Sequence, residues 1–114
     1  MRHTVHRELD ALDADDAVRA GALLLDVREP DEFDAGHAPG ATSVPLGELG
    51  ARLDELEGAR MVVCVCRSGV RSAAAAEALT GAGYDAANLV GGMLAWAAEG
   101  LPVTTAGGAA GEVR

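Results

Sequence analysis

The residues best placed for chemistry in this chain lie in Met61-Val-Val-Cys-Val-Cys66-Arg-Ser-Gly-Val-Arg71-Ser72. An apolar run ends in a thiol. A short glycine-bearing loop follows, then an arginine and an alanine-rich stretch of helical character. Such an order puts Cys66 at the C-terminal end of a strand and at the mouth of a helix N-terminus. Unpaired backbone N–H groups point outward there and carry partial positive charge. A field that binds an anion also favours thiolate over thiol. The chemistry this predicts is nucleophilic attack by Cys66 from inside an anion-binding cradle.

The spacing from Cys66 to Arg71 is Cys-x4-Arg, with Arg67, Ser68, Gly69 and Val70 between. A loop of this length before a helix can turn several N–H groups toward one point. Gly69 supplies the permissive backbone. Arg71 is expected to brace the loop or face the bound anion, and Arg67 to sit at the rim. Ser72 reads as a helix cap. A plainer alternative is a strand-to-helix turn with two surface arginines and a cysteine packed as a small hydrophobe. Cys64, two residues before Cys66 on the same strand, reads as a core residue and only secondarily as a resolving thiol. A Cys-x-Cys metal site lacks further ligands nearby, since His3 and His6 belong to an end expected to fray. Asp26 and Arg28 flank the end of another apolar run and read as support. His37, in Gly36-His-Ala-Pro-Gly40, reads as a turn brace, with a general base as the alternative. Trp96 reads as a core plug.

The elements that must position these groups follow from hydrophobic pattern and turn residues. The chain has 114 residues, one domain's worth, able to bury about 65% of its unfolded surface. Thr4–Leu9 reads as a short edge strand. Asp13 reads as the N-cap of a helix over 14–20, with Gly21 as its stop. Ala22–Val27 and Met61–Val65 are continuous apolar runs of strand length, suited to strands covered on both faces. Glu29–Phe33 opens a short helix through Pro30. Ala41–Val44 is a further short strand. Leu46–Leu56 has an amphipathic helical pattern. Arg71 or Ser72 starts a helix that ends near Gly81–Gly83. Ala86–Val90 is another strand, followed by Gly91-Gly92 and a short helix through Trp96. Alternation of strands and helices predicts an α/β fold, a parallel sheet with helices on both faces and its ligand site at the strands' carboxyl ends. Residues 1–104 form the expected domain. The Gly- and Ala-rich tail 105–114 is expected to be disordered.

Charge and composition narrow the function. The net charge of −9 argues against nucleic acid and anionic membrane surfaces. At 3% aromatic residues, base-stacking platforms are not expected. Every basic residue is arginine, so Schiff-base chemistry and a lysine-dependent phosphate loop are excluded. No apolar leader pattern or membrane-length run stands in the sequence, and the expected setting is the reducing cytoplasm.

Four segments together resemble the single-domain rhodanese (thiosulfate sulfurtransferase-like) family. They are Leu25-Asp-Val-Arg-Glu-Pro-Asp-Glu-Phe33, Gly36-His-Ala-Pro-Gly-Ala41, Val65-Cys-Arg-Ser-Gly-Val-Arg-Ser72 and Asn88-Leu-Val-Gly-Gly-Met-Leu-Ala-Trp96. Their order fits the family from about residue 5 to 104. The resemblance implies a rhodanese-like fold with a five-stranded, mostly parallel sheet. It makes Cys66 the sulfur-carrying residue and Arg67–Arg71 the active-site loop, and gives Asp26, Arg28 and His37 supporting places. The implied reaction moves a sulfane sulfur from a small anionic donor such as thiosulfate to a thiol or cyanide acceptor through a persulfide. It needs no cofactor and no metal. A monomer is the simplest expectation. Phosphatases related to the family carry Cys-x5-Arg, one residue longer, so a phosphatase or arsenate reductase is the weaker rival. A persulfide carrier or regulatory module serving a partner protein is the other alternative.

Overall fold

The computed structural model describes residues 6–114. Residues 1–5, including His3 and the start of the expected first strand, lie outside them. β1 (Arg7–Leu9), β2 (Leu23–Asp26), β3 (Thr42–Ser43), β4 (Val62–Val65) and β5 (Ala86–Leu89) form one sheet in the order β1-β5-β4-β2-β3. All four pairings are parallel, where mostly parallel was expected. The helices are α1 (Ala11–Arg19), α2 (Pro30–Ala35), α3 (Val70–Gly81) and α4 (Gly92–Ala98).

Both faces of the sheet are covered, as the continuous apolar runs require. The strand period of two divides each run between two cores. Leu25, Val62, Cys64, Cys66 and Ala86 join Ala75, Ala76 and Leu79 of α3 on one side. Leu24, Val63, Val65 and Leu89 join Ala11 and Ala14 of α1 and Met93 and Trp96 of α4 on the other. Alanine on the covering helices permits close approach to the sheet.

Several boundaries differ from expectation for identifiable reasons. α1 is capped by Asp10, whose Oδ1 accepts the Asp13 N–H at 2.8 Å. Starting there buries Ala11 and Ala14 on β1's side of the sheet, a packing gain that the acidic cluster does not reveal. Leu46–Leu56 forms two 3₁₀ segments, Leu46–Ala51 and Leu53–Leu56, in place of one amphipathic helix. Gly47 and Gly50 are poor helix formers, and Leu49 and Leu56 still reach the core. α3 begins at Val70, directly after Gly69 in the left-handed region at φ +104°.

The tail expected to be disordered lies against the body. Thr104 pairs with His37 and Ala110, the Gly111 N–H donates to the Val103 carbonyl, and the Glu112 N–H donates to the Ala35 carbonyl at 3.0 Å. Its contacts are mostly backbone to backbone, with Gly36 against Gly111 and Glu112. Such contacts leave no side-chain periodicity to read.

Candidate active site

The C-terminal ends of β2, β4 and β5 bring the chemistry together. Cys66 follows the last residue of β4 and starts the loop that leads into α3. Its carbonyl accepts the Met93 N–H at 2.8 Å and the Arg67 carbonyl accepts the Leu94 N–H at 3.1 Å, so the first turn of α4 holds the loop's base. Gly92 is required there. Its φ is +60°, and a Cβ would stand 2.5 Å from the Cys66 and Arg67 backbone.

The loop then turns back over the sulfur. The Gly69 N–H donates to Cys66 Sγ at 3.1 Å. Ser72 Oγ lies 3.3 Å from the same sulfur and 2.6 Å from Asn88 Oδ1. Asn88 Nδ2 donates to the Gly69 carbonyl at 3.2 Å. Cys66 is 1% exposed, while Arg67, Ser68 and Val70 around it are exposed. Burial works to raise the thiol's pKa. The Ser72 hydroxyl and the N–H groups of Ser72, Gly69 and Ser68 outweigh it, and the thiol sits below its ordinary value. Cys64 is equally buried and meets hydrocarbon. Its burial first, and the neighbouring Cys66 second, push it up to about 12. Both cysteines are free. Of two thiols on the same face of the sheet, one is therefore activated by hydrogen bonds and the other silenced by burial without them.

Arg71 projects from α3 toward α2. Its Nη1 and Nη2 donate to the two Glu32 oxygens at 2.7 and 2.8 Å. The Arg71 hydrogen bonds hold the Glu32 carboxyl down at about 2, and the pairing raises Arg71 in turn. Of the two expected roles, the geometry gives Arg71 the brace. Its charge still reaches the sulfur, since Cys66 is among the groups that stabilise the guanidinium. Glu32 also closes a capping box with Glu29, so α2 and the loop are tied at one residue.

Asp26 and Arg28 are fully buried at the end of β2 and pair with each other. Arg28 Nη2 also donates to the Gly36 carbonyl at 2.8 Å, bracing the turn that holds His37. His37 stacks on Phe33 with centroids 3.8 Å apart. Its Nδ1 lies 2.7 Å from the Phe33 carbonyl, which only accepts, so Nδ1 carries the proton and the ring braces the turn. Trp96 is 3% exposed, with its indole N–H donating to the Pro102 carbonyl.

Ser72 is corrected from its expected role. It lies inside the first turn of α3, and Gly69 holds the cap position without a side-chain bond. Glu32 and Asn88 were missed by sequence reasoning. Asn88 was detectable: an amide stands in the otherwise apolar Ala86–Val90 run, where a buried polar group demands partners. Glu32 gave no comparable signal among its acidic neighbours.

Comparison with known proteins agrees with this architecture. The model of the rhodanese-like domain matches residues 5–99. This chain belongs to the rhodanese-like family. A sulfurtransferase of Allochromatium vinosum is 43% identical over 82 residues, covering 71% of this chain and 77% of that protein. Thiosulfate sulfurtransferase 16 of Arabidopsis thaliana is 40% identical over 102 residues, covering 78% and 85%. A helix-turn-helix-type transcriptional regulator of Mycobacterium tuberculosis is 44% identical over 82 residues, 70% of this chain and 36% of the regulator, so the chain spans about a third of that relative. Among solved structures, a rhodanese-related protein of Thermoplasma volcanium superposes with a TM-score of 0.81 at 33% identity, covering 87% of this chain and 98% of that one. The named relatives support sulfur transfer as the general activity.

Proposed function

We propose that the protein transfers a sulfane sulfur from a small anionic donor such as thiosulfate to a thiol or cyanide acceptor, with Cys66 as the carrier. The observation that carries this reading is the Cys66 sulfur held at 3.1 Å by the Gly69 N–H, inside a loop that lowers its pKa. The Cys66 thiolate attacks the outer sulfur of thiosulfate. A new S–S bond forms to Sγ, the old bond to the sulfonate sulfur breaks, and sulfite leaves with the electron pair. The terminal sulfur of the resulting persulfide is anionic, and the loop's N–H groups offer charge stabilisation where it develops. An acceptor thiolate then bonds to that terminal sulfur and returns the electron pair to Sγ. One difficult transfer is divided into two easier ones.

Arg67, Ser68, Gly69, Val70 and Arg71 form the proposed substrate-binding loop. Arg67 is exposed at its rim and Arg71 lends charge while bound to Glu32. Two free cysteines suit a reducing, cytoplasmic setting. Intact-mass measurement after exposure to thiosulfate tests the proposal. The expected result is a gain of one sulfur, mapped to Cys66 and lost when a thiol or cyanide is added. A phosphatase assay run beside it separates the rival chemistry. Loading without turnover, relieved only by a protein thiol, would favour the carrier reading.

A further inference from the structure

The Ser72 hydroxyl has one proton and two neighbours that want it. Asn88 Oδ1 is 2.6 Å away and Cys66 Sγ is 3.3 Å away. The amide cannot turn over to relieve the competition. The Gly69 carbonyl accepts only, so the nitrogen of Asn88 must face it at 3.2 Å and the oxygen must face Ser72. Ser72 is fully buried and Asn88 is 4% exposed, so no solvent competes for these atoms.

We propose that Asn88 is a positioning residue that sets the state of Cys66 through the Ser72 hydroxyl, which changes partner as charge on the sulfur comes and goes. With a neutral thiol the hydroxyl donates to Asn88, the shorter contact, and its oxygen is free to accept from the S–H. When the thiol loses its proton, the hydroxyl turns to Sγ, because a hydrogen bond to an ion is the stronger one. In the persulfide the charge moves to the terminal sulfur, Sγ becomes a poor acceptor, and the hydroxyl returns to Asn88. No proton leaves Ser72 in these steps. The hydroxyl thus stabilises Sγ when it attacks the donor and again when it leaves as the acceptor takes the terminal sulfur, and lends nothing to the persulfide between. This last step rests on the sulfur-transfer reading; the thiol–thiolate step does not.

The charged and titratable groups around the sulfur are Arg67 in the loop, Arg71 on α3, Glu32 on α2, Asp26 and Arg28 at the end of β2, and Cys64 on β4. β5 presents only Asn88. Ser72→Ala leaves these groups unchanged, whereas Asn88→Asp adds a carboxylate whose direct repulsion of the thiolate is present with or without the Ser72 hydroxyl.

The experiment follows the Asn88 side-chain amide by NMR in the unaltered protein while Cys66 titrates. The expected signals move with the midpoint of Cys66 alkylation by iodoacetamide, then return toward the thiol position after loading with thiosulfate. Ser72→Ala should slow alkylation at pH 7 roughly tenfold, since one hydrogen bond to the thiolate is gone. Asn88→Asp should slow it in both backgrounds through direct charge repulsion, and by more where Ser72 is present to be held away from the sulfur. Amide signals flat through the titration, persulfide signals lying with those of the thiolate, or an equal Asn88→Asp effect in both backgrounds would each overturn the proposal. Failure of thiosulfate to load sulfur would strike the proposed function and leave the thiol–thiolate comparison standing.

Discussion

Arg71 and Glu32, 39 positions apart in the chain, meet fork to fork at 2.7 and 2.8 Å. The arginine that closes the Cys-x4-Arg loop is thereby fixed to α2. Two parallel donors into one carboxylate define orientation as well as energy. The loop's outer limb is positioned by α2 and its base by α4.

This pair has a pH signature. Glu32 is held at about 2, below its ordinary 4.5, chiefly by the Arg71 hydrogen bonds. A lowered carboxylate contributes stability that is complete above the ordinary value and disappears as pH falls through the folded one. Glu32→Gln is expected to destabilise by ~1 kcal/mol at pH 7, discounted because solvent reaches Arg71. The difference from the parent should vanish by about pH 2. Urea unfolding at pH 7, 4 and 2 measures it. A constant difference across that range would remove the ion pair as the cause.

The two thiols should separate in reactivity. Cys66 lies below the ordinary thiol pKa and Cys64 is pushed up to about 12. Iodoacetamide at pH 7 is expected to label Cys66 alone, with Cys64 labelled only on unfolding. Cys66→Ala should abolish sulfur loading, and Cys64→Ala should preserve it. Peptide mapping of the alkylated protein checks the order; early labelling of Cys64 would contradict it.

Gly92 should tolerate no side chain. Its positive φ and the 2.5 Å approach of a Cβ to the Cys66 and Arg67 backbone add strain to a clash. Gly92→Ala is expected to lower stability by ~2–4 kcal/mol and to slow Cys66 alkylation. Gly81→Ala is the control. Nothing lies within 4 Å of the added Cβ at the end of α3, so its stability should hold or rise slightly. Thermal unfolding of both variants makes the comparison.

The buried pair at the end of β2 is expected to be structural. Asp26→Asn leaves the Arg28 guanidinium buried without its counter-charge, at a cost of about 3–5 kcal/mol. Denaturant unfolding reads the loss. If the variant folds normally but transfers no sulfur, Asp26 acts in the chemistry.

The parallel α/β plan and the place of the thiol at a strand end were legible in the chain's local pattern. Both follow from local physics. Runs such as Leu23-Leu-Leu and Val62-Val-Cys-Val suit strands covered on both faces, and Gly69 breaks strand from helix wherever the rest of the chain lies. Which groups face the sulfur depends on contacts made only when the chain has folded. Glu32 reaches Arg71, Asn88 reaches Ser72 and Gly69, and residues 111–112 reach Ala35 and Val103, each across a distance in sequence that no periodicity encodes. The same holds for the split between the thiols. Cys64 in β4 and Cys66 just past its end share a core and are both buried, and only the chain folding back over Cys66 supplies the hydrogen-bond donors that make one acidic and leave the other inert.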